Sequence, residues 1–152
     1  MSDSIIEILR NKKARFEYEI LDTYEAGIVL KGTEVKSIRD KKVNIQESYA
    51  RIYNGEVYLV GMNISLYEKG NFFNHEPLRE RKLLLHKFEI KKLIGKLNER
   101  GYTLVPLRMY IKNAKVKIEL GLGKGKNTHD KRRTIQDRDM KRDMNREMKK
   151  YV

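Results

Sequence analysis

From Phe16 the chain alternates apolar and polar positions: Phe16, Tyr18 and Ile20, then Tyr24, Ala26, Ile28 and Leu30, with Glu17, Glu19, Thr23 and Glu25 between them. A period of two is the mark of strands with one buried face, and the loss of phase at Leu21 and Asp22 predicts a turn or bulge. Upstream, Ser4 followed three residues later by Glu7 has the capping-box spacing, which predicts a short helix to about Arg10. Gly32 and Thr33 end the strand and open a short helix carrying Val35 and Ile38. Two strand-like runs, S48-Y-A-R-I-Y and E56-V-Y-L-V, flank Asn54-Gly55, the strongest short hairpin signal. Residues 67–81 hold no period and contain Gly70, Asn71, Asn74 and Pro77, predicting a long exposed loop that leads into K82-L-L-L-H.

The period then changes. Ile90, Leu93, Ile94 and Leu97 follow helical spacing, and Gly101 supplies the stop. Val105, Leu107, Met109 and Ile111 alternate again. A turn at Lys112-Asn113 follows, then Ala114, Val116, Ile118 and Leu120 alternate against Lys115, Lys117 and Glu119, giving a second hairpin with a basic outer face. Several short antiparallel strands with one firm helix predict a mainly β fold, a small antiparallel barrel of the oligonucleotide-binding type with associated short helices. The alternation ends after Leu120. The chain therefore divides into a barrel domain, 1–122, and a basic C-terminal tail, 123–152, in which Met140, Met144 and Met148 recur every four residues near Ile135 and Tyr151. That stripe is too thin to hold a helix in water, so the tail is expected to be disordered when free and to become helical only against a partner.

Charge gives the partner class. The 152 residues hold 34 Lys and Arg against 21 Asp and Glu, a net charge of +13, and residues 121–152 carry about half of that excess in about a fifth of the length. Such a protein accumulates on polyanions by counterion release, with nucleic acid the first to consider. No signal-like segment and no apolar run near the roughly 20 residues of a spanning helix is seen, so a soluble cytoplasmic protein is expected. The absence of cysteine excludes disulfides, thiol nucleophiles and thiolate metal sites.

Catalytic patterns are weak by comparison. G121-L-G-K-G-K-N-T looks at first like a phosphate loop but fits neither glycine-rich nucleotide fingerprint, and reads better as a flexible basic hinge. His75, His86 and His129 form no metal-ligand set, and Ser37, Ser48 and Ser65 have no nucleophile elbow. Scattered carboxylates such as Asp22, Glu25, Glu34 and Glu47 leave a metal nuclease open. Nine tyrosines and four phenylalanines offer stacking surfaces, although most serve a core. Glu25, beside Ala26-Gly27, is distinctive. A carboxylate on a basic face repels phosphate, so there it either accepts hydrogen bonds from a base or ribose or is simply solvated.

Taken together, N11-K-K-A14, E25-A-G-I28, G32-T-E-V-K-S37, R81-K-L-L-L-H86 and H129-D-K-R132, in this order and spacing, closely resemble the SmpB (small protein B) family of bacterial tmRNA-binding proteins, over about residues 8 to 133. The resemblance implies a non-enzymatic adaptor that holds the tRNA-like domain of tmRNA (SsrA RNA) and brings it to stalled ribosomes for trans-translation. It implies tmRNA contacts at Asn11, Lys12, Glu25 and Leu84, with Lys82 as a neighbour. It also implies a tail entering the decoding region of the small ribosomal subunit, whose rRNA would meet Gly125, Lys126, His129, Asp130, Lys131 and Arg132. Asn127 departs from the family, where a second lysine is usual. No cofactor, metal, membrane or small-molecule substrate is implied, and a monomer is expected. A barrel-type nuclease or RNA-modifying enzyme, or a resident ribosomal protein, are the competing readings.

Overall fold

The computed structural model describes residues 4–70, 73–99 and 101–126. In chain order the elements are β1 (Ile5–Arg10), α1 (Lys12–Glu17), β2 (Tyr18–Ile28), α2 (Gly32–Arg39), β3 (Val43–Asn44), β4 (Tyr49–Tyr53), β5 (Glu56–Val60), β6 (Asn63–Ile64), β7 (Arg81–Leu84), α3 (Lys87–Leu97), β8 (Tyr102–Lys112) and β9 (Lys115–Gly125). The main sheet runs β1-β8-β4-β5-β7-β2-β9, and β9 returns to pair with β8. Six strands thus close a ring, with β1 added along the outer half of β8, while β3 and β6 form a separate two-stranded sheet. The interior is lined by the inward residues of each strand, among them Tyr24, Ala26, Ala50, Ile52, Val57, Leu59, Leu83, Leu104, Met109, Ile118 and Leu120, and is plugged by Ile38 of α2 and Leu93 and Leu97 of α3. This is the antiparallel barrel with short helices that the alternation predicts.

Both hairpins turn where the local chemistry directs. Asn54 and Gly55 adopt φ of 58° and 72°, and Asn113 and Ala114 adopt 51° and 67°, the pair of positive angles that a two-residue turn requires to match strand twist. The second turn therefore sits one residue later than Lys112-Asn113. The break at Leu21 is a bulge, because the β2–β9 register skips from Ile20 to Asp22.

Three expectations fail, the first and the last because a distant partner outweighs local preference. The segment from Ser4 to Arg10 is a strand and not a helix: Ile5 to Arg10 find the open edge of β8 over Arg108–Lys112, and Ile8 turns into the core. Phe16 does not begin β2; it belongs to α1, which Asn11 caps by accepting the Ala14 N–H at 3.1 Å, and its ring is exposed. The glycine-rich stretch is no hinge through residue 125, since β9 continues to Gly125 and three of its residues lie within the segment assigned to the tail. The glycines are there for clearance. A Cβ at Gly123 would stand 2.9 Å from the Tyr18 Cβ, and one at Gly121 would stand 2.8 Å from Leu107 Cδ1. The missing Cβ atoms let Leu107 and Tyr18 lie over β9, and Leu107 joins Ala14 and Val105 in a second small core under α1.

A buried ion cluster ties the loop after β6 to α2. Glu34 and Arg81 are fully buried; Arg81 Nε donates to Glu34 Oε2 at 2.6 Å, and its other nitrogens donate to the carbonyls of Met62, Glu76 and Pro77. Glu34 Oε1 accepts from Arg79 at 2.5 Å and from the Lys31 N–H at 2.7 Å, which also fixes the start of α2. Burial pushes the Glu34 carboxyl up, but the bonds from Arg79, Lys31 and Arg81 outweigh it and hold the group below the usual carboxylate range. Beside the cluster, the buried His75 donates from Nε2 to the Ile64 carbonyl and accepts the Thr33 hydroxyl at Nδ1, both at 2.9 Å.

Candidate nucleic-acid interface

Cross-strand pairing assembles one outward face from four strands. Leu84 of β7 lies opposite Gly27 of β2, Gly27 opposite Lys117 of β9, and Lys117 opposite Tyr110 of β8. One pleat away Glu25 faces Glu119, which in turn faces Arg108 across a bulge. Directly opposed residues point to the same side of a sheet, so Leu84, Glu25, Lys117, Arg108 and Tyr110 share this surface. Gly27 leaves a shallow depression between Leu84, which is 51% exposed, and the lysine.

Two carboxylates placed opposite each other repel unless each is compensated. Glu119 accepts from Arg108 at 2.7 Å and from Arg15 of α1 at 3.2 Å, so α1 borders the same face. Glu25 accepts the Tyr110 hydroxyl and lies 3.4 Å from Lys112 Nζ. That hydroxyl bond, against a smaller upward push from burial and aided by Lys112 and Lys117, holds the Glu25 carboxyl below its ordinary value. Burial and the bond to Glu25 push the Tyr110 phenol up in return, and the Arg108 guanidinium lies over its ring at 4.5 Å. Glu25 is therefore an ionised, oriented acceptor with 42% of its side chain still exposed. Such a group can take hydrogens from a base edge or a ribose hydroxyl while its cationic collar meets phosphate.

The other expected contacts divide. Lys12 is exposed at the first turn of α1. Asn11, by contrast, is buried, with its amide donating to the carbonyls of Pro106 at 3.0 Å and Ile45 at 3.3 Å. It fixes the position of α1 from inside. Lys82 points outward on β7, but pairs with Glu56 at 2.8 Å in a row with Tyr58, two residues before Leu84. Sequence reasoning placed Lys117 and Glu119 on the outer face of the second hairpin without naming either as a contact, and missed Arg15, Arg108 and Tyr110. Once the Asn113–Ala114 turn sets the β8–β9 register, four of these five follow from the alternation.

Of the tail positions, Gly125 pairs with Tyr18, and Lys126 is docked on α1: its N–H donates to the Glu17 carbonyl at 3.1 Å, its Nζ reaches the Arg15 carbonyl at 3.3 Å, and it lies over the Phe16 ring. His129, Asp130, Lys131, Arg132 and the expected tail helix lie outside the described residues. Asp22, Glu25, Glu34 and Glu47 sit in four separate local interactions. Among the described residues no group of three or more acidic or histidine side chains is arranged to hold a metal, and no helix is long and apolar enough to cross a membrane.

A closed antiparallel barrel of this kind, with a cationic outer face around an oriented carboxylate, defines a protein of the oligonucleotide-binding class. The chain belongs to the SmpB family: the family described as SmpB protein matches residues 8–150. It is 57% identical over 150 residues, 98% of this chain and 99% of the relative, to an SsrA-binding protein of Thermosynechococcus vestitus. It is 55% identical over 152 residues, 100% of this chain and 99% of the relative, to an SsrA-binding protein of Ruminiclostridium cellulolyticum. A solved structure described as "tmRNA-SmpB: a journey to the center of the bacterial ribosome" superposes with a TM-score of 0.67 at 53% identity, covering 82% of this chain and 88% of that one.

Proposed function

We propose that this protein binds the tRNA-like domain of tmRNA and delivers it to stalled ribosomes for trans-translation, acting in the cytoplasm as an adaptor that catalyses no reaction. The observation that carries this is the near full-length similarity to SsrA-binding proteins, at 55% and 57% identity. The face around Glu25 supports it chemically. Lys12, Arg15, Arg108, Lys112 and Lys117 supply phosphate contacts, Glu25 supplies a base or ribose acceptor, and Leu84 packs against the sugar or base surface. Asn11 acts through α1, whose first turn presents Lys12. In the same reading the chain leaving Lys126 carries His129, Asp130, Lys131 and Arg132 to the decoding region, where their charge and the flat imidazole meet rRNA.

Sequencing of RNA that copurifies with the protein tests the reading. tmRNA is the expected enriched species, released as salt rises because the contacts are largely ionic. Enrichment of bulk mRNA or of no RNA would refute it. Constant stoichiometric occupancy of ribosomes without tmRNA would favour a resident ribosomal protein instead.

A further inference from the structure

The N-terminal turn of α3 presents an aromatic pair that the interface described above does not use. His86, preceding the helix, and Phe88 stack with ring centroids 5.5 Å apart and planes 9° apart. The His86 backbone is held at the start of the helix, because its main-chain N–H donates to Glu89 Oε1 at 3.0 Å. Phe88 is 71% exposed, so one ring face rests against the imidazole and the other is open to solvent. Most apolar side chains of α3 face the barrel; Leu93 and Leu97 are buried and Ile90 and Ile94 pack on the core. Phe88 is the exception.

Its surroundings have the chemistry of a nucleic acid contact. Lys87 is adjacent, and Lys91 is one turn on, on the same side of the helix; both are exposed. One turn beyond Phe88, Lys92 reaches Asp22 of β2 at 3.8 Å, which holds α3 against the barrel. In the other direction the chain runs back from His86 through Leu85 to Leu84, the exposed edge of the interface. The pair therefore begins two residues beyond that exposed edge.

We infer that His86 and Phe88 form a stacking platform for one unpaired base of the bound RNA, with Lys87 and Lys91 meeting the phosphates that flank it. This rests on the function proposed above and extends its site by one nucleotide. A base has a π-face whatever its identity, so the platform adds affinity without reading sequence, and an already stacked, capped pair loses little freedom when a third ring joins it. The alternative occupant, an apolar surface of a partner protein, fits less well beside two lysines.

The test is a binding titration of the full-length protein with the transcribed tRNA-like domain of tmRNA across a salt series. Phe88→Ala is expected to weaken binding between about fivefold and 100-fold with an unchanged salt slope, because a stack and no ion contact is lost. Phe88→Tyr keeps the ring and is expected to bind as the unchanged protein does, while Lys87→Ala lowers the slope. Binding by Phe88→Ala within twofold of the unchanged protein, or equal losses in Phe88→Ala and Phe88→Tyr, would overturn the platform. Failure of the unchanged protein to bind this RNA would overturn the proposed function, and the platform with it.

Discussion

Replacing Glu34 by Gln is expected to destabilise the fold through a charge that stays buried. Glu34 is the carboxylate of both Arg79 and Arg81, and the Glu34 and Arg81 side chains have no solvent exposure, so no water replaces what is lost. Gln keeps an oxygen for one donor but leaves the Arg81 guanidinium uncompensated among carbonyls. Burial pulls that group's pKa down and Glu34 opposes the pull, yet a guanidinium starts too far above neutrality to discharge. Breaking a buried pair in this way costs about 3 to 5 kcal/mol, and the retained acceptor puts Glu34→Gln near the lower end. For a domain of this size that is a fall in Tm of about 10 °C, read by thermal unfolding monitored by circular dichroism. Arg81→Met is expected to cost more than Arg79→Ala, because Arg81 alone also satisfies the carbonyls of Met62, Glu76 and Pro77. The pH dependence carries a sign. Glu34 has a lowered pKa in the folded state, so its contribution is complete above the ordinary carboxylate value of about 4.3 and is lost as pH falls through the folded value. The gap between the unchanged protein and Glu34→Gln should therefore narrow below that pH. A Tm within about 3 °C of the unchanged protein at pH 7, or a gap that does not narrow in acid, would refute the argument.

Glu25→Gln is expected to weaken tmRNA more than an unrelated duplex, and equal effects on both would return Glu25 to a merely solvated carboxylate. Tyr110→Phe should let the Glu25 carboxyl rise toward its ordinary value in an NMR titration, and no movement would show that the phenol does not hold it. Gly123→Ala, which drives a Cβ against that of Tyr18, is expected to cost about 1 to 3 kcal/mol in urea unfolding; an unchanged midpoint would show that Tyr18 does not pack over Gly123 as described. Deleting residues 134 to 152 should spare tmRNA binding yet abolish peptide tagging in a reconstituted reaction, and normal tagging would sink the decoding role of the tail.

What the chain discloses locally and what it hides follow from the range of the interactions. Asn54-Gly55 is readable because a two-residue turn needs positive φ there, and the bulge at Leu21 is readable because a period of two cannot slip without one. β1 is not. Its capping-box pattern is real, but the open edge of β8 lies about a hundred residues away and decides the matter. The spacing Gly121, Gly123, Gly125 looks like flexibility until Tyr18 and Leu107 are seen to occupy the space a Cβ would fill. At the interface, Glu25 stands out in sequence as a carboxylate in a basic setting, whereas its orienting hydroxyl on Tyr110 is 85 residues distant.

The same distinction bears on which motifs speak of function. G32-T-E-V-K-S37 and R81-K-L-L-L-H86 carry much of the family resemblance, yet they meet inside the molecule, where Glu34 binds Arg81 and Leu83 fills the core, while Thr33 bonds His75, which lies outside both motifs. In R-K-L-L-L-H it is Lys82, Leu84 and His86 that face outward, and in N11-K-K-A14 the lysines, while Asn11 and Ala14 face in. Each motif is thus a scaffold interleaved with a surface. A substitution at an inward position weakens RNA binding by destabilising the barrel, and loss of function there says nothing about contact. The outward members, Lys12, Lys13, Glu25, Lys82, Leu84, His86 and Phe88 beyond it, are the ones that separate recognition from stability, provided that the melting temperature is measured beside the affinity.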